Sequence, residues 1–205
     1  MDAVYRHQRY IYDVTRKYYL FGRDRLIDEL APRDGACIVE IGCGTARNLI
    51  RIARKYPSAR LFGLDASEAM LDTAARAIRR ARLEDRIALR HGYAEALTPA
   101  LYGLGEPFDE AIFPYSLSMI PDWKQAIRAA GSSISQTGRI HIVDFGDLAG
   151  FAAPLRAGLL AWLRLFHVAP RTELLHTLEA NCDAGSLRTL TGRYAFLFRG
   201  ATPDL

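Results

Sequence analysis

The stretch VEIGCGTA at residues 39–46 decides the fold of this chain. It places two glycines, Gly42 and Gly44, directly after a short apolar run and directly before a segment of helical period. Glycines at a strand-to-helix turn let the backbone pass close to a ligand without a Cβ in the way. The stretch therefore predicts a ligand site at the edge of an α/β sheet.

Two carboxylates accompany this turn. Glu40 lies two residues before the first glycine, and Asp65 ends the next predicted strand. A carboxylate at that strand end can accept hydrogen bonds from both hydroxyls of a ribose. A dinucleotide turn also requires a third glycine at position 47, where this chain has Arg47. The pattern disfavours NAD and predicts one crevice lined by both carboxylates.

From residue 37 onward, short apolar runs alternate with segments of helical period. Strands are predicted at residues 37–41, 60–64, 86–90, 108–113 and 139–145, giving five strand-helix steps. Asp122, with Gln125 three residues later, predicts the start of a helix, and another helix opens at Pro170 and Thr172. Residues 186–190 and 194–198 predict an antiparallel hairpin. The expected fold is a doubly wound, Rossmann-like sheet, mostly parallel with an antiparallel last strand.

Composition narrows the protein class. At 205 residues with 50% hydrophobic and 24% charged residues, the chain is expected to be one globular domain. Its three cysteines suit neither a disulfide framework nor a metal site, and they fit a reducing compartment. The net charge of +4 favours anionic surroundings, but such an excess is also common in proteins that bind none. We expect the chain in the cytoplasm, either free or at the inner face of the cell membrane.

The glycine turn and the segment GLDASEAML at residues 63–71 resemble the first motifs of class I S-adenosylmethionine-dependent methyltransferases, over roughly residues 35–146. The resemblance implies S-adenosylmethionine as cofactor, with its methionine part held by Gly42 and Gly44 in front of Glu40. It further implies that Asp65 binds the ribose. The implied adenine contacts are Ala66, Met70, Tyr93 and Ala94.

Two positions depart from that family's pattern. Ala46 stands where a third glycine is usual, and Tyr93 stands where an aspartate often accepts a hydrogen bond from the adenine amine. The first change is mild. The second leaves the adenine contact to stacking or to the tyrosine hydroxyl.

A closer resemblance concerns the methyl acceptor. The segments at residues 5–27, 161–171 and 192–197 are similar to bacterial N-methyltransferases of betaine-lipid synthesis. The resemblance implies an aminolipid substrate, diacylglyceryl homoserine, methylated three times. Tyr12, Tyr18 and Arg23 belong to the tyrosine-rich basic start of the chain, whose rings can face a cation or pack on the sheet.

These observations divide residues 1–205 into regions of one methyltransferase domain. A helical lid is expected at residues 1–30, a cofactor-binding core at 35–146 and an apolar insertion at 148–170. The insertion is apolar, basic and too short to span a membrane, which suits a helix lying on an anionic lipid surface. A buried cap helix or a dimer contact fits equally well, so the oligomeric state stays open.

Catalysis requires an amine aligned behind an activated methyl group, with a proton acceptor nearby. Tyr18, Tyr115 and Asp144 are the predicted catalytic residues, and His141 is more easily explained as a hydrogen-bonded strand residue. The full predicted cofactor set is Tyr12, Arg23, Glu40, Gly42, Gly44, Asp65, Ala66, Met70, Tyr93, Ala94, Tyr115 and Ser116.

Other functions remain open at this stage. A quinone or small-molecule methyltransferase would use the same core, and so would a binding protein without catalysis. An RNA methyltransferase is disfavoured because the chain has no appended RNA-binding module and no long basic run, and no nucleic-acid partner is expected.

Overall fold

The computed structural model describes residues 20–165, 168–181 and 186–204. Its strands are β1 (Cys37–Ile41), β2 (Arg60–Asp65), β3 (Ile87–His91), β4 (Phe108–Pro114), β5 (Ile134–Phe145), β6 (Leu187–Leu190) and β7 (Ala195–Gly200). Its helices are α1 (Arg23–Glu29), α2 (Arg47–Lys55), α3 (Glu68–Ala81), α4 (Trp123–Ser133), α5 (Ala153–Arg164) and α6 (Thr172–Asn181).

The strands form one twisted sheet in the order β3-β2-β1-β4-β5-β7-β6. Strands β1 to β5 are parallel to their neighbours, whereas β7 is antiparallel to both β5 and β6. This confirms the predicted doubly wound sheet with an antiparallel last strand. The hairpin places β7 inside the sheet and leaves β6 at the edge.

Two details differ from the sequence prediction. Strand β5 begins at Ile134, directly after α4, and a register irregularity between Phe108 and Glu110 accommodates this early start. The crossover from β3 to β4 contains two short 3₁₀ turns, Ala94–Ala96 and Pro99–Tyr102. The third of the five predicted strand-helix steps therefore has no α-helix. Proline at the start of the second turn and left-handed Gly103 at its end limit it to four residues.

The sheet is covered on both faces, as a parallel sheet requires. One face, which includes Ile38 and Leu61, packs against α1, α2, α3 and α5, while the other, which includes Val39 and Phe62, packs against α4 and α6. Helix α2 buries Leu49, Ile52 and Ala53, and α3 buries Met70, Ala74 and Ile78, at helical spacing. Each such large side chain contributes about 1.5–3 kcal/mol through burial.

Side-chain caps fix where two helices begin beside the carboxyl edge of the sheet. The Ser67 hydroxyl accepts a hydrogen bond from the Met70 amide at the start of α3. The Asp122 carboxylate accepts one from the Gln125 amide at 3.1 Å, which confirms the predicted start of α4. Because each cap satisfies a free amide of the first turn, the preceding loop is held in place.

Helix α5 is the described part of the apolar insertion and is largely exposed. Leu163 is buried and Trp162 packs partly against the core, but Leu155 is 53% exposed and the following Leu165 is 74% exposed. The helix therefore packs on the core through one side only, and the lipid-surface, cap-helix and dimer-contact interpretations all stay predictions. Phe166 and His167 lie outside the described residues, as do residues 1–19 of the predicted lid with Tyr12 and Tyr18. Across residues 20–165, 168–181 and 186–204, no helix combines the length and apolar character needed to cross a bilayer.

An ionic network ties the chain on either side of α5 to the C-terminal hairpin. The Arg193 guanidinium donates two hydrogen bonds of 2.8 Å to the Asp147 carboxylate and contacts Glu179 of α6 at 2.7 Å. The hydrogen bonds from Arg193 are the main cause that lowers the pKa of Asp147 to about 2. Bidentate pairing of this kind is stronger than an ordinary surface ion pair.

We expect Arg193→Gln to lower the free energy of unfolding at pH 7 by about 1–2 kcal/mol, because Asp147 loses its bidentate partner. The pKa of Asp147 is lower in the folded state than its ordinary 3.8, so the stabilisation is complete above pH 4 and disappears as the pH falls toward 2. Urea titrations between pH 7 and pH 2 measure the difference. Lys124→Gln, which removes the exposed pair with Glu173, is the control and should change stability by less than about 0.5 kcal/mol. A difference that persists unchanged to pH 2 would contradict this account.

Candidate active site

A cleft opens at the carboxyl edge of β1, β2 and β4, where an open α/β sheet binds ligands. It is lined by many of the residues predicted from the sequence, which lie at or after the carboxyl ends of four strands, β1 to β4. These are Gly42, Gly44, Asp65, Ala66, Met70, Tyr93, Ala94, Tyr115 and Ser116.

The glycine turn is pressed between β2 and the loop after β4. The amides of Gly42 and Cys43 both donate to the Leu64 carbonyl, at 2.8 and 3.0 Å. Gly42 has a φ of +74°, and a Cβ there would come within 2.7 Å of the Ser116 Cβ. Only glycine satisfies both the conformation and the close approach, so the turn leaves its backbone open toward the cleft.

Asp65 is held in position by two amides. Its Oδ2 accepts a hydrogen bond from Gly44 at 2.7 Å, and its Oδ1 accepts one from Ser67 at 2.9 Å. The two amides fix the direction of the Asp65 carboxylate at the edge of the cleft. The side chain is preorganised for the ribose contact that the sequence predicted.

Glu40 lies behind the glycine turn with one oxygen unpaired. Its Oε1 accepts a hydrogen bond from Asn48 Nδ2 at 2.8 Å, whereas Oε2 and Asn48 Oδ1 are buried and have no partner among the described residues. Burial raises the pKa of Glu40 to about 8, against the lowering effects of Asn48 and of the nearby Arg23 charge. Two unpaired buried polar atoms are costly, and an ammonium group could satisfy both when Glu40 is ionised.

Asn48 was missed by the sequence analysis. It is a buried polar residue on the inward face of α2, next to Leu49 and Ile52. That position was the available signal, because a polar side chain on an otherwise apolar helix face needs a partner.

Arg23 is brought to the same region by α1. Burial raises the pKa of both Glu40 and Tyr115, and the positive charge of Arg23 opposes part of that rise. Guanidinium is well suited to a carboxylate ligand. Neither Arg23 nor Glu40 is among the described residues that line the cleft, so the cofactor contacts predicted for them stay predictions.

The opposite end of the cleft is apolar and partly open. Met70 is buried, whereas Tyr93 is 64% exposed at the mouth. The Gly92 amide donates to the Asp65 carbonyl at 3.0 Å, which fixes the loop that carries Tyr93 and Ala94. A flat ring can lie between Met70 and this loop, and the Tyr93 ring is available for stacking.

Ala46 occupies the position where a third glycine was expected, and it keeps the glycine conformation. Its φ is +62° and ψ +21°, at the start of α2. The left-handed conformation costs a non-glycine residue about 1–2 kcal/mol. The Ala46 methyl group is fully buried, and its burial offsets part of that cost.

Tyr115 lines the cleft, but its hydroxyl has a structural partner. It donates to the Phe21 carbonyl at 2.5 Å, and its ring packs edge-on against Phe145. Burial, and then the nearby Asp144 charge, raise the pKa of the Tyr115 hydroxyl well above its ordinary value. The geometry makes this residue an anchor for the segment before α1 and a poor proton acceptor.

The predicted catalytic position of Asp144 is not the observed one. Asp144 is 1% exposed beneath the loop after β4, and its two oxygens accept hydrogen bonds from the amides of Ser118 and Phe145. Burial raises its pKa to about 6. The carboxylate does not line the cleft, because the loop that it binds covers it. His141 pairs with Glu110 at 2.6 Å within the sheet, as expected for a hydrogen-bonded strand residue.

Comparison with known proteins agrees with this geometry. Residues 38–138 match a family model described as a methyltransferase domain. The chain is 29% identical over 165 residues to the ubiquinone/menaquinone biosynthesis C-methyltransferase UbiE of Syntrophotalea carbinolica, covering 78% of this chain and 65% of that protein. It is 27% identical to the demethylmenaquinone methyltransferase of Lactobacillus johnsonii over 60% of this chain and 49% of that protein. The chain thus spans about half to two thirds of the length of these curated relatives.

The fold comparison extends over nearly the whole chain. The S-adenosylmethionine-dependent methyltransferase SibL superposes with a TM-score of 0.68 at 19% identity, covering 95% of this chain and 58% of SibL. Family match, relatives and fold coincide on the region that contains the glycine turn, Asp65 and the Glu40–Asn48 pair. Residues 38–138 therefore form the core of a class I S-adenosylmethionine-dependent methyltransferase.

Proposed function

We propose that this chain methylates the amine of a lipid, diacylglyceryl homoserine, up to the trimethylated betaine lipid. The observation that carries the lipid part of the proposal is an exposed apolar helix, α5, connected to the loop that forms one wall of the cleft. Leu155 and Leu165 are exposed beside Arg156 and Arg164, and the Ala169 amide donates to the Ser118 carbonyl at 3.1 Å. Such a helix suits an apolar surface with anionic head groups.

The described residues fit the cofactor at each of its parts. The unpaired Oε2 of Glu40 and Oδ1 of Asn48 suit the ammonium group, and Arg23 suits the carboxylate of the methionine part. Asp65 is preorganised for the ribose, and the apolar end of the cleft suits the adenine. S-adenosylmethionine supplies a methyl group that its sulfonium charge already activates. The chain's own task is then to bind, orient and exclude water.

The acceptor end of the cleft is mostly apolar. Its described lining is Tyr115, Ser116, Met119, Ile120 and Pro121, and none of these is a carboxylate or a histidine. Desolvation lowers the pKa of an ammonium group that enters such a pocket, so it favours the neutral amine with its lone pair. A mono- or dimethylated amine still has a lone pair after losing its proton, whereas the quaternary product has none.

A quinone C-methyltransferase is the second candidate. It is favoured by the 29% identity to UbiE across 78% of this chain. A quinone with an apolar tail would use the same exposed helix, so α5 does not separate the two candidates. The two candidates differ in the atom that receives the methyl group, which is a nitrogen in the aminolipid and a ring carbon in the quinone.

Cofactor affinity should depend on pH through Glu40. Its pKa of about 8 means that the carboxyl is largely protonated at pH 6–7, while binding of an ammonium group favours the carboxylate. We expect S-adenosylmethionine affinity to rise from pH 6 to about pH 7.5, with proton release on binding, because the ammonium group of the cofactor itself loses its proton at about pH 8. Calorimetry in buffers of different ionisation enthalpy measures both quantities. Glu40→Gln should bind about tenfold more weakly and without this pH dependence.

The control for that experiment is Glu95→Gln, because Glu95 also lines the cleft but is not behind the glycine turn. It should retain the pH dependence of the unmodified chain. Equal pH dependence in Glu40→Gln would remove Glu40 from the ammonium contact.

Membrane contact should depend on the exposed leucines of the α5 region. We expect the chain to pellet with phosphatidylglycerol-containing vesicles more than with neutral phosphatidylcholine vesicles, because apolar burial and attraction to anionic lipid act together. Leu155→Ser with Leu165→Ser should reduce pelleting severalfold and leave cofactor affinity unchanged. Leu101→Ser, at a half-exposed leucine elsewhere, is the matched control. Equal pelleting of all three proteins would contradict a lipid-facing α5.

The acceptor itself is tested by product masses. With diacylglyceryl homoserine in mixed micelles and S-adenosylmethionine, we expect products with one, two and three added methyl groups to appear in that order. A parallel reaction contains a demethylated quinol in the same micelles. Methylation of the quinol alone would overturn the aminolipid proposal and leave the methyltransferase core unaffected.

A further inference from the structure

Residues 116–121, between β4 and α4, form one wall of the cleft, here called the acceptor wall. Ser116 packs against Gly42, and Met119, Ile120 and Pro121 line the space next to the glycine turn. The amides of Met119 and Ile120 donate to the Ser116 carbonyl at 3.0 and 3.1 Å. These local turns give the wall its shape but do not attach it to the sheet.

Asp144 attaches the acceptor wall from below. It lies near the end of β5, and its Oδ2 accepts the Ser118 amide at 3.0 Å while Oδ1 accepts the Phe145 amide at 2.8 Å. A single carboxylate therefore connects the middle of the wall to the end of the neighbouring strand. At 1% exposure this contact is shielded from water, and a buried charge-assisted hydrogen bond is short and directional.

Arg171, directly before α6, also attaches the acceptor wall. Its Nε donates to the Leu117 carbonyl at 3.0 Å, and its Nη2 donates to the Ile120 carbonyl at 2.6 Å. Its positive charge also acts on Asp144, so the guanidinium and the carboxylate lie close together. A planar guanidinium can hold two carbonyls in fixed directions, whereas a lysine ammonium is a single flexible point.

We propose that Asp144 and Arg171 are positioning residues for methyl transfer, which fix the acceptor wall and thereby the place of the acceptor relative to the methyl group. Neither residue lines the cleft, so neither acts on the reacting atoms. The inference rests on methyl transfer in this cleft but not on the lipid being the acceptor. A displacement of about 1 Å at an acceptor site can reduce the rate by about 100-fold.

Arg171→Lys tests the proposal, and Arg86→Lys is its matched control. Arg86 also holds backbone carbonyls, those of Ala53, Tyr56 and Ala59, but in the connection from α2 to β2 and away from the acceptor wall. Both variants lose carbonyl contacts, so both should lower the melting temperature. Only Arg171→Lys should lower kcat/KM for the acceptor, by about 10- to 100-fold, with S-adenosylmethionine affinity changed less than threefold. Asp144→Asn, which replaces one acceptor oxygen by a donor, should act in the same direction.

Amide hydrogen exchange gives a readout that needs no acceptor. In Arg171→Lys, exchange should become faster in residues 116–121, while in Arg86→Lys that segment should be unchanged. If the unmodified chain methylates a quinol and not the aminolipid, the aminolipid proposal is wrong. The same variants are then compared with the quinol as acceptor. The positioning role is overturned if folded Arg171→Lys keeps kcat/KM within twofold, if both lysine variants lose activity in proportion to their melting temperatures, or if exchange in the wall does not change.

Discussion

The Leu64 carbonyl accepts hydrogen bonds from two consecutive amides, Gly42 and Cys43, and the cleft is organised around this contact. It holds the glycine turn against the end of β2. The next residue extends the arrangement, because the Asp65 side chain binds the amides of Gly44 and Ser67 and its carbonyl accepts the Gly92 amide. Two adjacent residues thus fix the glycine turn, the start of α3 and the loop after β3. A change at the end of β2 would disturb all three walls together.

Features determined by local sequence were predictable, and features determined by distant contacts were not. The sequence predicts the glycine turn, the place of Asp65 and the Asp122 cap, because each depends on neighbours within a few residues. The interactions of Asp144 depend on an amide 26 residues away, and those of Arg171 on carbonyls more than 50 residues away. Spacing in the sequence gives no sign of such pairs. The sequence therefore led to the prediction that Asp144 is catalytic, because it lies near the end of a strand. It gave no reason to select Arg171.

Two of the six described non-glycine residues with a positive φ, Ala46 and Tyr115, lie beside the glycine turn and the cleft. Left-handed non-glycine residues include Ala46 at the start of α2, Tyr115 directly after β4 and Leu148 shortly after β5. Each conformation costs on the order of 1–3 kcal/mol and persists only where the surroundings determine it. Tyr115 is held by its own hydroxyl on the Phe21 carbonyl and by its amide on Val143. The Leu148 amide bonds to the Arg193 carbonyl, within reach of the ionic network at Asp147. The strand ends that shape the site are therefore stabilised from outside it.

The titratable groups in and around the cleft share one feature, because the described hydrogen bonds of each go to backbone groups or to a side-chain amide of the protein itself. Asp65 and Asp144 bind backbone amides, Glu40 binds Asn48, and Arg171 binds carbonyls. Such an arrangement suits a reaction whose electrophile is activated before it binds, because the barrier then depends mostly on the alignment of two partners in a dry pocket. A rigid wall opposite a rigid glycine turn supplies that alignment. It also separates two regions of the molecule, because Glu40 and Asp65 lie at the glycine turn, while Asp144 and Arg171 hold the acceptor wall from outside the cleft.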